Sequence, residues 1–264
     1  MKIIINYIFS CGHRCYSTDF LKQYGLRKFS GPFDYLFIDF ETTLKVIRNG
    51  FDDFLHDIIL FNKNENRITL YYPKNTNEID SKINGLMTEQ LIGYMRFNYN
   101  PVNLFINQNY LRDRLLCGNL YHWDKICIFN HHDLTDNEIY SKLKLRCDRF
   151  QDIINNFSSN SILFYITRII ENENIHNHMN NVLSLKEQYE IHSYMVMIIC
   201  SDTDKEFHIL KNNCLFIIKK VEPYLEQFEK YEYDSDLNDI NYDNEINIIR
   251  EYFDFQLEEK PLIS

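Results

Sequence analysis

The stretch Ile3-Ile4-Ile5-Asn6-Tyr7-Ile8-Phe9-Ser10-Cys11-Gly12-His13-Arg14-Cys15 decides the fold class. Its first seven residues are mostly apolar and rich in β-branched side chains, and Ser10-Cys11-Gly12 ends the run, so it reads as a buried strand. A helix over Ser17 to Tyr24 follows, with Phe20, Leu21 and Tyr24 on one side and Gly25 where a helix end prefers glycine. The same alternation returns downstream. Ile126 to Phe129, Ser161 to Ile166, Tyr194 to Cys200 and Cys214 to Ile218 are short, bounded apolar runs. Between the first two, Glu138 to Asn155 carries Ile139, Leu143, Phe150, Ile153 and Ile154 at helical spacing, and a polar helical stretch precedes Tyr194 to Cys200. Strands that alternate with helices predict an α/β fold, a largely parallel or mixed sheet flanked by helices. On that reading the carboxyl ends of the strand before Cys15 and of Ile126 to Phe129 converge on one sheet edge.

The remaining segments fit one domain over residues 1–264. Ser30-Gly31-Pro32-Phe33-Asp34 breaks regularity, Leu44, Val46, Ile47, Phe51 and Phe54 suggest helical packing, and Arg67 to Tyr72 reads as a strand. Weak periodicity makes residues 73–118 the expected place of an inserted subdomain. Asp234, Asp236, Asp239 and Asp243 mark an acidic surface loop over 229–245, before an amphipathic helix, Ile246 to Phe255.

Composition narrows the function. A net charge of −10 argues against duplex nucleic acid, whose binding is driven by phosphate neutralisation. No window approaches the roughly 20 apolar residues of a membrane span, and the first strand is too short for a signal peptide, so a soluble, cytoplasmic protein without a membrane partner is expected. Seven cysteines, an odd number without dense spacing, read as reduced thiols.

One thiol stands out by position. Cys15 falls just before the first turn of a helix, where free N–H groups and a partial positive charge lower a thiol's pKa and can hold an oxyanion. His13 and Arg14 add positive charge beside it as substrate- or anion-binding groups. Cys11, His13 and Cys15 could also ligate zinc with His131, His132, His176 or His178, but C-x-H-x-C does not match paired-cysteine knuckles, so no metal and no cofactor are expected. Asn130-His131-His132-Asp133, at a strand end, is the second constellation.

Together these residues carry a resemblance. Ser10-Cys11-Gly12-His13-Arg14-Cys15, then Leu26-Arg27, then Ser30-Gly31-Pro32-Phe33-Asp34-Tyr35 resemble the S-L-G-x-x-C, L-R and S-x-P-F-D-W opening of the family of putative papain-like cysteine peptidases. His132-Asp133-Leu134 is similar to its H-D-F/L element, Arg146-Cys147-Asp148-Arg149-Phe150 to its R-x-x-R-F helix, and Ser161 to Arg168 to the strand after it. The resemblance covers about residues 7–60 and 125–170 and departs at Cys11 for Leu and Tyr35 for Trp. It implies Cys15 as nucleophile, His132 rather than His131 as general base, Asp133 or Asp34 orienting the imidazole, and a peptide or other acyl-bearing substrate. It also brings in a papain-like α+β fold as the alternative architecture. The extra thiol at Cys11 allows a redox or disulfide role. Two other readings stand beside the hydrolase: an acyl- or sugar-modifying transferase with Arg146, Arg149 and Arg168 as anion contacts, and a non-enzymatic acidic interaction protein.

Overall fold

The computed structural model describes residues 2–12, 15–56, 58–62, 67–72, 103–107, 127–129, 132–168, 174–201, 205–221 and 240–259. The opening run forms two short strands, β1 (Ile3–Ile5) and β2 (Tyr7–Ser10), broken at Asn6. Helix α1 (Tyr16–Gln23) follows and closes as expected at glycine: Gly25, at φ +70°, donates to the Lys22 carbonyl while Leu26 donates to that of Leu21. Then come β3 (Phe37–Ile38), α2 (Phe40–Arg48), β4 (Ile58–Asn62), β5 (Arg67–Tyr72), β6 (Asn103–Asn107), β7 (Cys127–Phe129) and α3 (Asn137–Phe157). The last part holds β8 (Ser161–Arg168), α4 (Ile175–Gln188), β9 (Tyr194–Ser201), β10 (Phe207–Lys211), β11 (Cys214–Lys220), α5 (Asp243–Tyr252) and β12 (Phe253–Phe255).

The α/β reading holds. One five-stranded sheet has the order β10-β11-β9-β8-β2, parallel throughout except for the β10–β11 hairpin. Strands β8, β9 and β11 read as unbroken apolar runs because both of their faces are covered. On β8, Ile162, Phe164 and Ile166 pack toward Phe20 and Leu21 of α1 and Ile249 of α5, while Leu163 and Tyr165 enter a second cluster with Phe150 of α3 and Met179 of α4. Each such fully buried side chain contributes about 1.5–3 kcal/mol of hydrophobic stabilisation.

The place of β7 is a correction. It does not join the parallel sheet but a second, antiparallel one of order β3-β7-β6-β4-β5, and local apolar patterning cannot tell which sheet a three-residue strand will join. The two sheets share a core through Ile58, Phe105 and Phe129 on one side and Phe9, Tyr165 and Met197 on the other. Two boundaries also differ. Helix α2 stops at Arg48, where Gly50 at φ +64° turns the chain, so Phe51 and Phe54 pack from turns. Helix α5 begins at Asp243, inside the stretch expected to be an acidic loop, and its expected last turn is strand β12, which pairs with β1. Of the segment 73–118 only strand β6 is described, and residues 229–239 lie outside the described residues. No helix is long and apolar enough to cross a membrane.

Candidate active site

Gly12 sets the geometry of the turn between β2 and α1. Its φ is +93°, and a Cβ there would lie 2.1 Å from Ile38 Cγ2 and 3.2 Å from the Ile38 carbonyl, so neither the backbone nor the space admits a side chain. Thr43 donates to the Cys11 carbonyl at 2.9 Å. Ser17 donates to the Gly12 carbonyl at 3.2 Å and accepts from the Ile166 N–H at 2.9 Å, tying α1 to the end of β2 and to β8.

Cys15 is the N-cap of α1, and its side chain does not cap the helix. Of the six described cysteines, all free thiols, Cys15 alone is part-exposed. Cys11 is 1 % exposed and faces the Phe9 carbonyl, and burial pushes its thiol pKa up.

Asp34 is the hub beside this helix. Its carboxylate accepts from Arg27 Nε at 3.0 Å, Arg27 Nη2 at 2.8 Å, the Gly31 N–H at 2.9 Å and Thr18 Oγ1 at 3.4 Å. Burial pushes its pKa up, against the pull of Arg27, the Gly31 N–H and Arg146. Next to it Tyr35, at φ +61°, donates its hydroxyl to Asp19 of α1 at 3.2 Å.

His132 lies three residues past the end of β7, its N–H directed at the Phe129 carbonyl. Its Nε2 lies 3.3 Å from the backbone carbonyl of Asp34. The Asp34 carboxylate pairs with Arg27, and the exposed Asp133 accepts from the N–H and hydroxyl of Thr135, at 2.9 and 2.5 Å.

Among the anion-binding candidates, Arg149 donates to the Ser30 carbonyl and lies over the Phe29 ring at 4.7 Å. Arg146 is half-buried one turn earlier on α3. His13, Arg14 and His131 lie outside the described residues, as does the side chain of Arg168 at the end of β8. Among the described residues no three His, Cys, Asp or Glu side chains group to hold a metal ion.

Thr18, Ser17, Thr43 and Arg27 belong to this framework and were not singled out from sequence. Isolated hydroxyl residues on helices carry no pattern, and only the Leu26-Arg27 pair hinted at the last. A family model described as "Putative papain-like cysteine peptidase (DUF1796)" matches residues 6–203. No curated protein and no solved structure matches.

Proposed function

The chain belongs to the family of putative papain-like cysteine peptidases, and from that premise we propose that it is a cysteine-dependent hydrolase of acyl bonds, with Cys15 as nucleophile and His132 as general base. One residue supports the pairing. The Asp34 side chain meets Thr18 in the first turn of the helix that Cys15 opens, and the Asp34 carbonyl meets His132 Nε2. A carbonyl oxygen only accepts, so the imidazole hydrogen is assigned to Nε2 and the lone pair to Nδ1.

Nδ1 takes the Cys15 proton, the thiolate sulfur attacks the acyl carbon, and the carbonyl electron pair moves onto oxygen, where the N–H groups of the α1 N-terminus receive it. The imidazolium returns its proton to the leaving group as that bond breaks. Water, deprotonated by the same nitrogen, then opens the thioester and restores the thiol. The Asp34 carbonyl, its negative end toward Nε2–H, favours the imidazolium at each stage.

p-Nitrophenyl acetate tests this without presupposing a peptide sequence. The expected result is a burst of p-nitrophenolate with an acetyl adduct on Cys15, absent in C15S and slowed on the order of 100-fold in His132→Ala near neutral pH. A burst that survives in C15S rejects the assignment.

A further inference from the structure

In a chain of net charge −10, three guanidinium groups gather around one buried carboxylate. Arg27 is spent on Asp34 and on Ser30 Oγ. Arg149 is not. Its Nη2 donates to the Ser30 carbonyl, its face rests on Phe29, and its Nε is buried without a hydrogen-bond partner among the described residues. Arg146, three residues earlier on the same helical face, brings a second positive charge. Burial and then Arg146 lower the pKa of Arg149, and Arg146 also acts on the Asp34 carboxyl. Among the described residues the cluster sets Arg27, Arg146 and Arg149 against the one Asp34 carboxylate and holds a desolvated donor that meets no acceptor, which is unfavourable until an anion joins it. The same Asp34 touches Thr18 of α1 and His132, which links the arginine cluster to the elements that carry the proposed nucleophile and base.

We propose that Arg146 and Arg149 form an anion subsite next to Cys15, and that the substrate carries a carboxylate close to the acyl carbon attacked. This rests on Cys15 being the nucleophile. Guanidinium forks match the planar, two-oxygen carboxylate.

The test compares alkylation of Cys15 by iodoacetate and by iodoacetamide. In both the thiolate sulfur forms a bond to carbon and iodide leaves, so the ratio of the two rates cancels any change in thiolate fraction and reads the local charge. The expected wild-type ratio exceeds that of glutathione at the same pH and falls with added salt. Arg146→Gln lowers it on the order of five-fold and Arg146→Glu further, while Lys144→Ala, exposed on the same helix, leaves it unchanged. A wild-type ratio equal to glutathione's overturns the subsite even if the variants do not fold, and a raised ratio that ignores Arg146 overturns it equally. A Cys15 inert to iodoacetamide instead sinks the nucleophile reading and this inference with it. Protection of Cys15 by N-acetylaspartate amide or by N-acetylglycine supports the subsite and tells a side-chain from a chain-terminal carboxylate; protection by neither overturns it.

Discussion

Replacing Asp34 by alanine separates holding the site from doing its chemistry. The Asp34 side chain is 3 % exposed and that of Arg27 21 %, so deletion strips a desolvated guanidinium of its counter-charge and the Gly31 N–H of its acceptor. Breaking a buried pair by removing one partner costs about 3–5 kcal/mol, and the partial exposure of Arg27 reduces this to about 2–4 kcal/mol. Against a total stability of about 5–15 kcal/mol the variant still folds at room temperature, with a thermal midpoint lower by roughly 4–16 °C. Arg27→Met leaves the more buried carboxylate unpaired and should cost a comparable amount, and the double variant less than the sum, with a coupling of about 1–3 kcal/mol. Calorimetry or circular-dichroism melts of the four proteins, read beside the Cys15 alkylation rate, decide the matter. An Asp34→Ala protein that melts like wild type yet has lost acetylation would refute the argument, because the carboxylate would then act in the reaction.

Gly12→Ala should destabilise by more than about 2 kcal/mol, since it combines a positive φ with overlap on Ile38; in urea melts the Gly12→Ala/Ile38→Ala pair should cost less than its parts added together. Under limiting iodoacetamide near neutral pH, mass spectrometry should find Cys15 labelled first, and preferential labelling of buried Cys200 would contradict this. Burial lifts the Cys214 thiol from its ordinary 9.0 to about 11 against the pull of Lys186. Between those values the unfolded chain has lost the proton that the folded chain keeps, so this thiol's contribution is whole below pH 9.0 and declines toward about 11, by about 1.4 kcal/mol per pH unit. Urea midpoints at about pH 8 and about pH 10.5 should fall less in Cys214→Ala than in wild type, and equal declines would show that the thiol is not the source.

What the sequence disclosed follows from how each element is buried. Strands β8, β9 and β11 were legible because a strand covered on both faces is apolar at every position, as Met195 to Cys200 is. Strand β10 was not, since four of its five residues are exposed and it shows neither alternation nor an apolar run. The division between α5 and β12 was hidden by apolar spacing that suits either element, and pairing with β1 settles it. At the candidate site, the motif singles out Cys15, Asp34 and His132, but the reasoning that joined the strands before Cys15 and His132 in one shared sheet was wrong. The thiol hangs from the parallel sheet and the imidazole from the antiparallel one, and Asp34 meets both sides. A main-chain carbonyl as the imidazole's partner leaves no trace in residue identity.

Phe33, the neighbour of Asp34, is fully buried, with edge-on ring contacts to Phe54 at 5.7 Å and Phe150 at 5.5 Å and a tilted one to Phe51 at 5.4 Å. A ring so enclosed cannot rotate about its axis unless the surrounding rings briefly separate, because the interior has no slack at that scale. Half-turns of the Phe33 ring therefore count the openings of the aromatic packing under the candidate site. In a phenylalanine-labelled sample the two ring edges should give separate resonances that merge on warming, and the merging temperature is an internal clock for how often the segment carrying Asp34 loosens.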